Sequence, residues 1–307
     1  MKRDFISLKS YTNAELAQLL SNALRLKKLK NRNSAALKGK TIGLIFQKPS
    51  NRTRVSFEVG IHQLGGNCIY LGPEEINLGK RETTSDVART LSRYLDGIVA
   101  RTFSHKDVVE LAKFATVPVI NGLTDLSHPC QAMADMLTIR EKFGSLKGIK
   151  LAYIGDGNNV CHSLMIACAK LGVNMSVAYP QGYAPVLEVV KAAQNLAVET
   201  KAQIILTADP VKAIKGAQVI YTDTWISMGQ EAEAKKRLEI FEKYQINKEL
   251  VAKADKDFIF MHCLPAHRGQ EVMDDVIDGK HSVIFDQAEN RLHAQKAILL
   301  YLLGKKK

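Results

Sequence analysis

The sequence lacks any C-x-x-C pair, and its five cysteines, Cys68, Cys130, Cys161, Cys168 and Cys263, are odd in number. That argues against a disulfide framework and against a structural zinc site, and it fits a reducing compartment. No window approaches the ~20 uninterrupted apolar residues that a bilayer-spanning helix needs, and no long apolar segment follows the opening MKRDFISLKS. A cytoplasmic protein with no membrane partner is the expectation. Internal repeats are missing, as is low complexity beyond the terminal run of three lysines at 305–307. Acids are scarce at the start of the chain: residues 1–54 hold thirteen Lys or Arg against Asp4 and Glu15, within a net charge of +12. Such a bias suits an anionic partner, either a phosphorylated metabolite or a nucleic acid. The most basic stretch, residues 25–40, contains no aromatic residue on which a base could stack, so a nucleic-acid partner is not expected.

What is present is a 307-residue chain that is 46% hydrophobic and 24% charged, long enough for two globular domains with separate cores. An apolar run at 41–46 reads as a buried strand and residues 55–64 have helical apolar spacing. The polar cluster Ser50, Asn51, Arg52, Thr53 and Arg54 therefore falls on a strand-to-helix turn, where free backbone amides, hydroxyls and fixed positive charge can hold a phosphate. Helices are predicted at 13–29, with Thr12 as cap, and at 85–95, 106–115, 129–143, 160–171, 185–200, 231–244 and 289–303. Strands are predicted at 67–71, 97–100, 117–120, 150–154, 175–178, 204–206, 218–222, 258–262 and 282–285. Strands alternating with helices imply parallel sheets covered on both faces. The expected fold is two doubly wound α/β domains, residues 1–135 and 136–288, with the active site in the cleft between them and a final helix, 289–307, packing back on the first domain.

Ligands of open α/β sheets bind beyond the carboxyl ends of the strands. Arg101, the run from His128 to Gln131, residues 156–159, the loop DTWISMGQE and the run from His262 to Pro265 all stand there. The turn after residue 156 lacks the G-x-G-x-x-G pattern of a dinucleotide site. His262, Cys263 and His267 share one short segment with no matching distant pair, so no metal is expected.

With these loops assembled, the chain resembles the carbamoyltransferases, most closely their ornithine branch, over nearly its full length. The residues at 50–54 match the family's S-T-R-T-R signature except for Asn51. HPCQ, DTWISMGQE, HCLP and the Glu289, Asn290, Arg291 run follow in the family's order, and the SMG loop sets this branch apart from the aspartate branch. The resemblance implies transfer of the carbamoyl group of carbamoyl phosphate to the δ-amine of ornithine, without a cofactor. It implies that Ser50, Asn51 (by its backbone amide), Arg52, Thr53, Arg101 and His128 hold carbamoyl phosphate, with Gln131, Arg291 and the backbone of Cys263 and Leu264 around the carbamoyl group. Arg54 is either a phosphate contact or a salt-bridge partner of Glu58. His128 and Arg101 stabilise the developing charge, and Cys263, with Asp223, takes the proton of the amine. Ornithine falls to Asn159, Asp223, Ser227 and Met228, under a lid containing Trp225 and Met228. Cys130 is expected to be packing. A homotrimer or an assembly of trimers is also implied, with Asn77 where many relatives have a glutamine that reaches a neighbouring subunit. Putrescine or an N-acylated ornithine is the alternative acceptor, and the direction of the pathway is open.

Overall fold

The computed structural model describes residues 2–29, 33–76, 78–79, 81–227 and 229–304; Asn77 and Met228 lie outside them. The chain divides into two compact units, Met1–Leu137 with Glu289–Lys307, and Thr138–Ala288. Among the described residues no helix is long and apolar enough to cross a membrane.

The first unit is built on a four-stranded parallel sheet: β1 (Thr41–Phe46), β2 (Asn67–Leu71), β3 (Gly97–Arg101) and β4 (Val119–Leu123), in the order β2-β1-β3-β4. β3 is buried at every position and β1 at all but its first, as expected of strands covered on both faces. β1 and β3 are neighbours in space although β2 lies between them in sequence. The order of winding therefore reverses between them, and at such a switch point the loops at the carboxyl ends part and leave a crevice. The register Phe46↔Arg101 ends both strands at the same level. The opening helix, Asn13–Lys28, starts with a capping box between Thr12 and Glu15. The last helix, Ile284–Leu303, belongs to this unit from residue 289 onward. There Lys27 donates to Asn290 at 2.9 Å and buried Lys296 donates to Gln63 at 2.8 Å.

The second unit repeats the plan with five parallel strands, β5 (Lys150–Ile154), β6 (Asn174–Ala178), β7 (Ile204–Thr207), β8 (Val219–Thr222) and β9 (Ile259–His262), in the order β7-β6-β5-β8-β9. Its switch point lies between β5 and β8, so the loops beginning at residues 155 and 223 flank it.

Three readings of the sequence need correction. The strand expected at 282–285 is a single bridge from Ser282 to Phe260. The helix placed at 289 already starts at Ile284, because residues 284–288 have the apolar spacing to continue it inward. Trp225, expected in a lid, is only 2% exposed and packs on Phe241 with ring centroids 5.7 Å apart. A large indole stabilises far more by burial than by flanking a mobile loop.

Candidate active site

In the first unit, the helix Asn51–Gln63 starts earlier than the apolar spacing indicates, with Ser50 as its N-cap. Asn51, Arg52 and Thr53 thus occupy the first turn, where amides lack helical partners. Ser50 Oγ accepts from the Thr53 amide at 3.2 Å, and Asn51 Oδ1 accepts from the Arg52 amide at 2.6 Å. Two side-chain oxygens thus sit on the helix start, where an anion's oxygens would be received. Arg54 pairs with Glu58 at 2.8 Å and lies 3.6 Å from the Tyr70 ring centroid.

Arg101 is buried at the end of β3, where the pairing to β4 shifts register. His128, 5% exposed, precedes the helix Pro129–Phe143 and accepts the Gln131 amide on its carbonyl oxygen. Burial first, and then the guanidiniums of Arg291, Arg101 and Arg52, hold its imidazole well below the ordinary histidine range. The ring is therefore neutral at pH 7, and three cations bear on one buried donor. Arg291 Nη1 donates to Gln131 Oε1 at 2.5 Å and Nη2 to Thr53 Oγ1 at 3.1 Å. These bonds join the late Arg291 to the early signature turn. Cys130 Sγ donates to the Asn121 carbonyl at 3.4 Å, and burial pushes its thiol up to about 12, which makes it packing and not a nucleophile.

In the second unit, β5 runs into Gly155, whose φ of +146° carries the chain away from the sheet. Asn158 caps the helix Asn159–Leu171, its Oδ1 accepting from the Val160 and Cys161 amides at 3.0 and 3.1 Å. Its Nδ2 donates to Asp223 Oδ2 at 2.7 Å. Asp223 Oδ1 accepts from the Thr224 amide at 2.8 Å and from the Cys263 thiol at 2.9 Å. In that contact the thiol is the donor and the carboxylate oxygen the acceptor. Buried Asp156 pairs with Arg237, which also donates to the Trp225 carbonyl at 2.5 Å. Burial nevertheless pushes the Asp156 carboxyl up to about 6. Ser227 donates its amide to Gln230 at 3.0 Å, at the rim of the loop whose Met228 is outside the described residues.

His262 Nδ1 accepts the Leu264 amide at 2.9 Å, so its ring proton, in the neutral form, is on Nε2, 3.3 Å from Glu271 Oε1. Both residues are fully buried. Glu271 also accepts the His267 amide at 2.5 Å, fixing the chain around Leu264, whose φ is +60°. Asp223, His262 and Cys263 each bring a ligand-type atom within 4.8 Å of the others. Asp223 is thus the distant partner whose apparent lack was the sequence argument against a metal, and that argument does not hold as stated. Asn158 stands in the 156–159 run but has no role in the motif reading, which misses Glu271 and Arg237 altogether. An asparagine just before a helix signals the first, whereas nothing local marks a glutamate or arginine that is buried only by tertiary packing.

These features define an α/β protein of two parallel-sheet units, one with an anion-receptive helix start lined by guanidiniums and the other with a carboxylate–thiol pair at its switch point. Residues 3–141 match the model of the aspartate/ornithine carbamoyltransferase carbamoyl-P binding domain, and residues 147–302 match that of the Asp/Orn binding domain. The chain belongs to the aspartate/ornithine carbamoyltransferase family. An ornithine carbamoyltransferase of Thermococcus kodakarensis is 58% identical over 305 residues, covering 98% of this chain and 96% of the relative. One of Pyrococcus furiosus, named as anabolic, is 56% identical over 304 residues, covering 98% of this chain and 96% of the relative. The solved structure of ornithine carbamoyltransferase from Pyrococcus furiosus superposes with a TM-score of 0.97 at 56% identity, covering 100% of this chain and 98% of that one. The Giardia lamblia ornithine transcarbamoylase structure, at 36% identity, gives 0.91 and covers 100% of both chains.

Proposed function

We infer that this protein is an ornithine carbamoyltransferase in activity: it transfers the carbamoyl group of carbamoyl phosphate to the δ-amine of L-ornithine, giving L-citrulline and phosphate, as in arginine synthesis. The observation that carries the reading is the convergence of Arg52, Arg101 and Arg291 on the buried His128, with Arg291 bonded to Thr53 in the signature turn. Ser50, the Asn51 amide, Arg52 and Thr53 receive the phosphate, for which forked guanidiniums are better matched than ammonium groups. Arg54, held by Glu58, adds charge at the rim. Arg101 and His128 stabilise the carbonyl oxygen as the amine nitrogen bonds to the carbamoyl carbon and the C–O bond to phosphorus breaks. The bonding pair leaves with the phosphate. Gln131 and Arg291, joined by a hydrogen bond, hold the carbamoyl group.

Residues 136–288 bind ornithine through Asn159, Asp223, Ser227 and Met228, and residues 1–135 bind the donor, with 289–307 returning Arg291 to it. An alkyl amine with a pKa near ~10 arrives mostly protonated. The Asp223 carboxylate, flanked by the Cys263 thiol, meets the ammonium; one proton passes to that pair as the amine is freed, and the second, released as the C–N bond forms, passes to the departing phosphate. No cofactor takes part. The assembly is a homotrimer or a group of trimers, a reading favoured by the edge strand β2 and its neighbouring helix, where Val55, Val59 and Ile69 are 54%, 39% and 50% exposed. The five free thiols suit the cytoplasm.

Initial rates with ornithine, putrescine and N-acetylornithine test the reading. Ornithine is expected to be carbamoylated and the other two not, and absence of citrulline overturns the assignment. Arg52→Ala should lower kcat/KM for carbamoyl phosphate by roughly 100-fold or more, through loss of a charge-assisted phosphate contact, with an unchanged melting profile.

A further inference from the structure

Asp135 lies one turn beyond Gln131 on the helix Pro129–Phe143, so the two side chains share a face. It is fully buried, and Gln131 Nε2 donates to its Oδ1 at 2.8 Å. A buried carboxylate is costly to keep and calls for a reason. At the other end of the same amide, Gln131 Oε1 accepts from Arg291 at 2.5 Å.

A primary amide has two ends of equal size, one donating and one accepting, and a half-turn exchanges them. A carboxylate can only accept and a guanidinium can only donate. Reversing Gln131 would set oxygen against oxygen at Asp135 and N–H against N–H at Arg291. The pair therefore pins the amide, and the second lone pair of Oε1 remains available as an acceptor.

We propose that Asp135 is a positioning residue for donor specificity: through Gln131 it fixes an acceptor that reads the NH2 of the carbamoyl group and rejects acyl phosphates that carry a methyl group there. This rests on the reaction inferred above. An unpaired buried acceptor facing a methyl group is the penalty that separates the two ligands.

Asp135→Asn keeps the shape but replaces an obligate acceptor with an amide that can turn to meet either end of Gln131, so that only Arg291 still opposes the reversed orientation. KM for carbamoyl phosphate is expected to rise about tenfold, the size of one lost buried polar contact. The inhibition constant of acetyl phosphate and the dissociation constant of inorganic phosphate should stay within about twofold. In a Gln131→Met background the same change should no longer alter the ratio of the two acyl phosphates, which a purely structural role of Asp135 would not predict. An unchanged ratio in Asp135→Asn, or an equal loss for both ligands, overturns the proposal while leaving wild-type citrulline formation, and hence the inferred reaction, intact. Wild-type protein that forms no citrulline overturns the reaction itself. Should the variant not fold, wild-type protein bound to phosphonoacetamide, at a resolution that separates amide nitrogen from oxygen, decides. Gln131 Oε1 facing the ligand nitrogen supports the proposal and the reversed amide overturns it.

Discussion

His128 illustrates how a side chain's chemistry is set by its neighbours. A histidine before a proline reads locally as a cap, but here burial and the three arginines keep the ring neutral. It can then donate a hydrogen bond without titrating near neutrality. The folded state binds fewer protons at this ring than the unfolded chain, whose histidine pKa is about 6.5, so its contribution to stability is complete above that pH and is lost as the pH falls below it. Denaturant midpoints measured across that range should therefore drop less steeply in His128→Asn than in the parent, and equal slopes would contradict a depressed pKa. The same variant should lose roughly 100-fold in kcat as an oxyanion donor is removed. Asn51 is a second case. Its identity was plain in the signature, but not that its carboxamide would turn back onto the Arg52 amide. That contact is set by side-chain geometry within the first helical turn.

At the level of elements, both half-sites stand where the sheets change winding direction. The alternation of strands and helices made the parallel sheets legible, since each strand is an apolar run bounded by turn residues. The lateral order of strands was not legible, because pairing between β1 and β3 or between β5 and β8 depends on contacts far apart in sequence. The helix Asn159–Leu171 depends on that order for its link to the neighbouring strand. Asn158 caps it with one end of its amide and holds Asp223, at the end of the adjacent strand β8, with the other. Asn158→Ala should cost about 1 kcal/mol as a lost cap, seen as a lower melting temperature. It should also raise KM for ornithine several-fold, an order-of-magnitude expectation for one polar contact to a charged group, while sparing KM for carbamoyl phosphate. An unaltered ornithine KM would remove Asp223 orientation from its role.

For the whole molecule, the exposed apolar residues on helix Asn51–Gln63 and edge strand β2 leave a surface that a further copy of the chain would cover. Edge strands left bare invite association, and cyclic symmetry closes it. Light scattering should therefore report a species of about 100 kDa or a multiple of it, three or more chains of 34.0 kDa. Val55→Glu together with Ile69→Lys should shift it toward the monomer. A monomeric parent at micromolar concentration would sink the trimer.

By itself the sequence determined the alternation of elements, the parallel sheets, the family motifs and the cluster of hydroxyls and positive charge at residues 50–54. All of these depend on local periodicity, capping residues and charge that neighbours in sequence share. Only the tertiary structure decided that the late Arg291 bonds Thr53 and Gln131 and that Asp223 lies against Cys263. It also placed Trp225 in a core and drew residues 284–288 into the final helix. Those outcomes turn on burial and on partners tens to hundreds of residues away, and a polar or aromatic side chain acquires its role only when packing decides what surrounds it.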